Sequence, residues 1–215
     1  MYIVEGNIGV GKSTFLSLIQ THLKTLTCTP EPVDTWAHQA YGKSLLGEFY
    51  AARHRWAYTI ETLAMICRSR AHMTAQQQDV HHLMERSIYS GHYCFALNGH
   101  QAGYFTDLEW DLYNQWTNFL FTQKCRPPRG FIYLQAAPEV CYARIARRER
   151  NGENLIAQEY LQKLHQRHEA FLVNRSGISD AIAHVPVLIL DANIDFVDSK
   201  QKMREHAEAV AAFIA

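Results

Sequence analysis

Gly6-Asn7-Ile8-Gly9-Val10-Gly11-Lys12-Ser13, preceded by Tyr2-Ile3-Val4-Glu5, is the stretch whose reading decides the fold. The apolar residues in front of it predict a short buried strand over Tyr2–Glu5. Behind it, Phe15, Leu18, Ile19 and Leu23 share one face of a helix predicted over Lys12–Leu26. A Gly-x-x-x-x-Gly-Lys-Ser run between a strand and a helix is a phosphate cradle. Its glycines let successive backbone N–H groups converge on phosphate oxygens, and the helix N-terminus adds the positive end of its dipole. Gly6 through Thr14, with Asn7, Ile8, Gly9, Val10 and Gly11 among them, is therefore the candidate ATP-binding segment. Lys12 is expected to reach the β- and γ-phosphates and Ser13 to help hold Mg²⁺. The cradle says nothing about the acceptor.

Working outward, short apolar runs alternate with longer helical ones. A strand is expected just before Pro30, because the prolines of Pro30-Glu31-Pro32 force an extended connection. A long helical region follows over Leu45–Met73, broken near His54, and then a strand over Val80–Met84. An aromatic-rich helical block spans Leu108–Gln123 and Phe131–Gln135 is the next strand. Pro138 opens a helix, as proline suits the first turn. A further helix runs from Glu159 to Asn174, a last strand from Val185 to Leu190, and a terminal helix capped by Asp198 ends near Ile214. This pattern predicts an α/β fold, with one parallel sheet covered by helices on both faces. The chain is expected to form one domain, without repeats or linkers, carrying a small lid over residues 144–155.

Composition narrows the class. The 215 residues carry a formal net charge of +0, so there is no broad basic field to gather nucleic acid or an anionic membrane. Cys28, Cys67, Cys94, Cys125 and Cys141 are scattered and form no CxxC, which implies free thiols in a reducing compartment. No HExxH or Cys/His ligand spacing occurs among the 12 histidines; His165 and His168 share a helix face but suit surface or packing roles. The strand at Tyr2 leaves no room for a leader peptide, and no apolar run reaches membrane-spanning length. A soluble, cytoplasmic protein is expected.

Three segments separate this chain from other phosphate-cradle proteins. It has no Asn-Lys-x-Asp guanine-reading segment of a signalling GTPase. Where a motor-type ATPase would carry Asp-Glu after an apolar strand, this chain has Glu85-Arg86-Ser87. An arginine there can steady negative charge developing at an acceptor oxygen. Glu31-Pro32-Val33-Asp34-Thr35-Trp36 falls at the end of the second strand, so Glu31 and Glu85 would face one crevice. A carboxylate there can take the proton of an attacking hydroxyl. Arg144, Arg147 and Arg148 share a helix face and, with Arg150, suit a lid closing over phosphates; a solvated basic face is the other reading.

Taken together, GNIGVGKST, EPVDTW, MERSIYSGHYCFA, YLQAAPEVCYARIARR, EYLQKLHQRHEAFL and LDANIDF resemble the deoxyribonucleoside kinase family over nearly the whole chain. The resemblance implies phosphorylation of a nucleoside 5′-hydroxyl by ATP with Mg²⁺, in a P-loop kinase fold. It implies Glu31 as general base, Arg86 beside the hydroxyl, and Glu85 as the acid near the metal. It pairs Tyr50 with Glu153 at the 3′-hydroxyl, supported by Tyr160. Arg144 and Arg148 match lid arginines over the phosphates, Asp195 and Phe196 the loop near the donor base, and Trp36 and Trp56 pocket aromatics. It also implies a homodimer through long helices, which the segment Trp110–Phe121 could supply.

Two departures bear on the base. The glutamine with which the family reads the base edge is Glu61 here. An ionised glutamate offers acceptors only, which suits the adjacent N1–H and 2-amino donors of guanine. Arg68 matches an arginine of the purine-accepting members and could donate to guanine O6 and N7, although Glu61 and Arg68 could instead pair with each other. The acid that orients that arginine in relatives is Gly91 here. A deoxyguanosine preference is the expectation, with broader use of purines or pyrimidines as its competitor. Less consequentially, Ala157 replaces a proline after the lid, and Gly152 could serve as a hinge. A nucleoside monophosphate kinase of the same fold, and a nucleotide-binding regulator that transfers nothing, remain open readings.

Overall fold

β1 (Tyr2–Glu5) lies at the centre of a sheet of five parallel strands, ordered β2-β3-β1-β4-β5. The computed structural model describes residues 1–33, 44–78, 81–148 and 156–215. Its other strands are β2 (Thr27–Thr29), β3 (His82–Glu85), β4 (Phe131–Gln135) and β5 (Val187–Asp191). The register pairs Val4 with Glu85 on one side of β1 and with Ile132 on the other. β1 and β3 are buried along their whole length, as strands covered on both faces must be. Both deliver a carboxylate and a loop to the same edge of the sheet, at the crevice where α/β folds bind ligands.

The helices are α1 (Lys12–His22), α2 (Leu45–Ala51), α3 (Arg53–Ala75), α4 (Ile88–Ser90), α5 (Leu97–Gln101), α6 (Asp107–Phe119), α7 (Pro138–Arg148), α8 (Gln158–His168), α9 (Asp180–Ala183) and α10 (Lys200–Ile214). The expected alternation holds, with adjustments that have local causes. α1 stops at His22 because Leu23 leaves helical geometry (φ −117°, ψ 79°), and a turn from Leu23 to Leu26 feeds β2. The break in the long helical region falls at Ala52 (φ −144°, ψ 69°), two residues before His54. β3 begins at His82, and Val80 lies outside the described residues. β5 begins two residues later than expected, at Val187.

The terminal helix is capped by Ser199, not Asp198: the Ser199 side chain accepts from the Lys202 N–H. The run from Ile88 to Gln101, unread as a helix in the sequence, joins α4 and α5 through a π-helical turn, Gly91–Ala96. It is buried nearly all round, so its sequence carries no polar face to betray a helical period. Two hydrophobic clusters result. One surrounds the sheet; the other joins Leu45 and Phe49 of α2 to Ala57, Ile60, Ala64 and Met65 of α3 and Tyr113 of α6. The second cluster forms the apolar wall of the crevice, and Trp56 packs within it rather than on the cavity surface.

Candidate active site

The phosphate cradle forms as its glycines require. Gly9 (φ 80°) lets the loop pass under α7, since a Cβ there would meet the Cys141 carbonyl oxygen at 2.5 Å. Gly11 caps α1 in the left-handed region (φ 104°). No side chain caps α1 and no acid sits in its first turn, so its N-terminal N–H groups are left to an anion. Lys12 Nζ donates to the Gly6 and Asn7 carbonyls at 3.2 and 2.9 Å, curling back across the cradle. Burial and the neighbouring Arg86 charge lower its pKa to about 8. Asn7 anchors the loop: its amide donates to the Leu161 carbonyl at 2.9 Å, and its Oδ1 accepts from the Ile8 N–H.

At the end of β3, Glu85 and Arg86 turn toward the cradle. Ser13 Oγ donates to Glu85 Oε1 at 3.0 Å, and the Glu31 N–H donates to Glu85 Oε2 at 3.3 Å. Arg86 adopts φ 61°, uncommon for a side-chain-bearing residue. Fixed groups on both sides hold it there. Its N–H donates to the Val4 carbonyl at 2.9 Å, and Ser87 both caps α4 and donates to the buried Glu5 at 2.5 Å. Arg86 Nε reaches Glu31 Oε2 at 3.2 Å, while its buried Nη1 has no hydrogen-bond partner among the described residues.

Glu31 is the hub. Arg68 Nε and Nη2 both donate to its Oε1, at 2.9 and 2.6 Å, and Arg86 holds the other oxygen. Burial opposes the charge on Glu31, yet Arg68, Arg86 and Lys12 outweigh it and bring the carboxyl down to about 2. Gly91 makes room for this arrangement: a Cβ there would stand 2.9 Å from Arg68 Nη1. Arg68 thus takes its orientation from Glu31. The alternative pairing of Arg68 with Glu61 does not form as a hydrogen bond among the described residues. Glu61 is buried on the same helix face, and its Oε2 has no partner there. Burial, reinforced by the Glu31 charge and opposed by Arg68 and Arg86, raises its carboxyl to about 7.

These residues line a cavity of about 290 Å³ that holds Glu31, Tyr50, Glu61, Arg68, Glu85, Arg86 and Tyr160, with Ile60, Ala64 and Phe49 as its apolar wall. A second cavity, of about 420 Å³, runs along the other side of the cradle past Thr14, Arg144, Arg147, Asp195 and Phe196. Gly9, Lys12, Ser13, Glu85 and Arg148 line both.

The sequence-derived candidates therefore converge, with different postures. Arg144 ties the cradle to the end of β5 by donating to the Val10 and Ala192 carbonyls at 3.0 and 2.9 Å. Phe196 is buried against Phe15 and His206, its ring edge 3.1 Å from the position of a Cβ on Gly11. Glu153, Trp36, Arg150 and Gly152 lie outside the described residues. Phe95 was not anticipated. Its ring lies under Arg86 (4.6 Å) and Arg68 (5.6 Å), supporting both guanidinium groups from the π-helical turn. Only its place in MERSIYSGHYCFA hinted at such a role.

A strand–cradle–helix with a carboxylate held between two arginines beside it is the arrangement of a P-loop phosphotransferase. The family model "Deoxynucleoside kinase" matches residues 2–215. Deoxycytidine kinase 1 of Xenopus laevis is 34% identical, over 99% of this chain and 89% of its own. Human deoxycytidine kinase is also 34% identical, over 94% and 87%. The mitochondrial deoxyguanosine kinase of Xenopus laevis is 33% identical, over 99% and 88%. The chain belongs to the deoxynucleoside kinase family and is an enzyme that uses ATP to phosphorylate deoxynucleosides.

Proposed function

We propose that Glu31 is the base for the 5′-hydroxyl of a deoxynucleoside, in a mechanism centred on the wall shared by the two cavities. The observation that carries this reading is the grip of Arg68 and Arg86 on both oxygens of Glu31, beside Lys12 and Glu85. The nucleoside oxygen attacks the γ-phosphorus in line. The new O–P bond forms as the bridge to the β-phosphate breaks, and the hydroxyl proton passes to Glu31. With its carboxyl near 2, Glu31 is ionised throughout neutral pH and acts first as the acceptor that aims the hydroxyl. The hydroxyl grows acidic as the bond to phosphorus forms, which suits late proton transfer in a loose transition state. Lys12 and the Nη1 of Arg86, which has no hydrogen-bond partner among the described residues, stabilise charge on the transferring group, with Arg144 and Arg148 of the lid.

The Ser13 hydroxyl and the Glu85 carboxylate are the hard oxygen donors that Mg²⁺ favours, and few protein ligands suffice because phosphates and water complete its shell. Bound there, Mg²⁺ would neutralise charge on the β- and γ-oxygens. Tyr50 and Glu153 take the 3′-hydroxyl with Tyr160 in support, Asp195 and Phe196 flank the donor base, and Glu61 with Arg68 reads the acceptor base, with guanine preferred. The chain acts as one domain. Its balanced charge gives nucleic acid no field to bind. Free cysteines among the described residues suit the cytoplasm, and no helix there is long and apolar enough to cross a membrane.

The partner we assign is a second copy, docked along α6. Leu108, Leu112 and Trp116 form an exposed stripe there while Tyr113 and Thr117 face inward. Asp107, Glu109 and Asp111 at one end and Lys124 and Arg126 at the other favour an antiparallel pairing. Trp116→Glu should shift sedimentation from dimer toward monomer; an unchanged dimer rejects this face. Phosphoryl transfer from ATP, measured with four deoxynucleosides and their monophosphates as acceptors, tests the main reading. Transfer to the nucleosides is expected, and transfer to monophosphates alone would reject it.

A further inference from the structure

Glu61 is the buried carboxyl of this site that no arginine among the described residues pairs by hydrogen bond. Glu31 takes hydrogen bonds from both arginines, at 2.6 and 2.9 Å from Arg68 and 3.2 Å from Arg86. Glu61 receives none among the described residues, although it is 8% exposed and lines the acceptor cavity. It stands two helical turns before Arg68 on the same face of α3, with Ala64 between them leaving space beyond its Cβ. An unpaired buried carboxylate is costly, and protonation is the ordinary relief.

The charged and titratable groups around it come from every packed element. They are Arg68 on α3, Tyr50 on α2, Glu31 after β2, Arg86 after β3, Tyr113 on α6 and Tyr160 on α8, with Lys12, Glu85 and Arg148 at the phosphate end of the same cavity. Arg68 and Arg86 favour the ionised form. Burial and the negative Glu31 favour the neutral one, and the balance falls near neutrality, at about 7.

We propose that Glu61 selects the base according to its proton: ionised, it admits guanine; protonated, it also admits cytosine, adenine and thymine. The ionised carboxylate accepts from N1–H and the 2-amino group of guanine together, and sets a lone pair against N3 of cytosine or N1 of adenine. The neutral acid presents one donor and one acceptor, matching the amino-and-ring-nitrogen edges of cytosine and adenine and the N3–H and O4 of thymine. A polar edge left facing a mismatched group is rejected strongly. This selector rests on the deoxynucleoside reading above.

The test is the ratio of kcat/KM for deoxyguanosine to that for deoxycytidine, on the full chain with ATP, from about pH 6 to about pH 8. Titrations of Glu31, Lys12 and the donor are common to both acceptors and cancel in the ratio. The ratio should rise about tenfold or more over that range. In Glu61→Gln, which keeps one donor and one acceptor at every pH, it should stay flat. A flat ratio in the unmodified enzyme overturns the proposal even where the variant fails to accumulate. A ratio that still climbs in Glu61→Gln assigns the titration to another group and overturns it as well. In either case deoxynucleosides are still phosphorylated, whereas absence of transfer to all of them would remove the underlying reading too.

Discussion

The two sides of the crevice are built by opposite means. The donor side is mostly backbone: glycines at positive φ, a helix end without a side-chain cap and a lysine resting on two carbonyls. Its internal hydrogen bonds are local or tie the loop to α7, α8 and β5. The acceptor side is a set of side chains from distant segments, in which Glu31, Glu61, Arg68 and Arg86 lie in one buried cluster. Backbone recognises phosphate, which every nucleoside triphosphate carries. Side-chain charge would recognise the acceptor, and among the described residues its balance is uneven, with one glutamate hydrogen-bonded by two arginines and the other by neither.

That contrast fails most visibly if the gripped glutamate is dispensable. Glu31→Gln should lower kcat by about 10²- to 10⁴-fold, since it removes the proton acceptor and leaves both arginines facing an amide. Near-normal turnover in steady-state assays would remove Glu31 from that role. The unequal charge balance has its own signature in stability. Glu31 is held below its ordinary value, so its contribution is present above about pH 4.5 and lost as pH falls toward 2. Glu61 is raised, so the folded state keeps a proton that the unfolded chain releases. Its contribution is present below about pH 4.5 and lost as pH rises through 7.

Glu61→Gln should therefore gain on the unmodified protein as pH rises, approaching about 3 kcal/mol above pH 7. Denaturant melts at several pH values measure this, and a pH-independent difference would contradict the unpaired state of Glu61. On the donor side, Gly9→Ala must both hold φ 80° and move away from the Cys141 carbonyl. A cost of about 1–3 kcal/mol is expected, with ATP affinity falling more than nucleoside affinity in titration calorimetry; equal losses would mean that the two sides are not separable. The smallest effect concerns the loop that flanks the donor cavity. Ser199→Ala should cost about 1 kcal/mol in thermal melts while Asp198→Ala costs little. The reverse order would restore Asp198 as the cap.

Much of the donor side was legible because its signal is contiguous. Strand, glycines, lysine and helix lie within residues 2–22. Helix ends were less legible, since Asp198 and Ser199 are both good caps and only backbone placement chooses between them. The helical run from Ile88 to Gln101 was hidden by its own burial, and Phe95 with it. Glu31, Arg86, Glu61 and Arg68 were each found as candidates. Which carboxylate the arginines would bind was not.

The sequence by itself determined the α/β class and the phosphate cradle, because spacing along the chain fixes local geometry, while the candidate acceptor groups came mostly from the resemblance of separated motifs to one family. Only the tertiary structure decided how those groups share their charge. Arg68 could have paired with Glu61 on its own helix; it binds Glu31 across the crevice, beside Arg86 and over Phe95. Coulombic balance in a buried site depends on separations of a few ångströms between segments far apart in the chain, and no linear pattern encodes them.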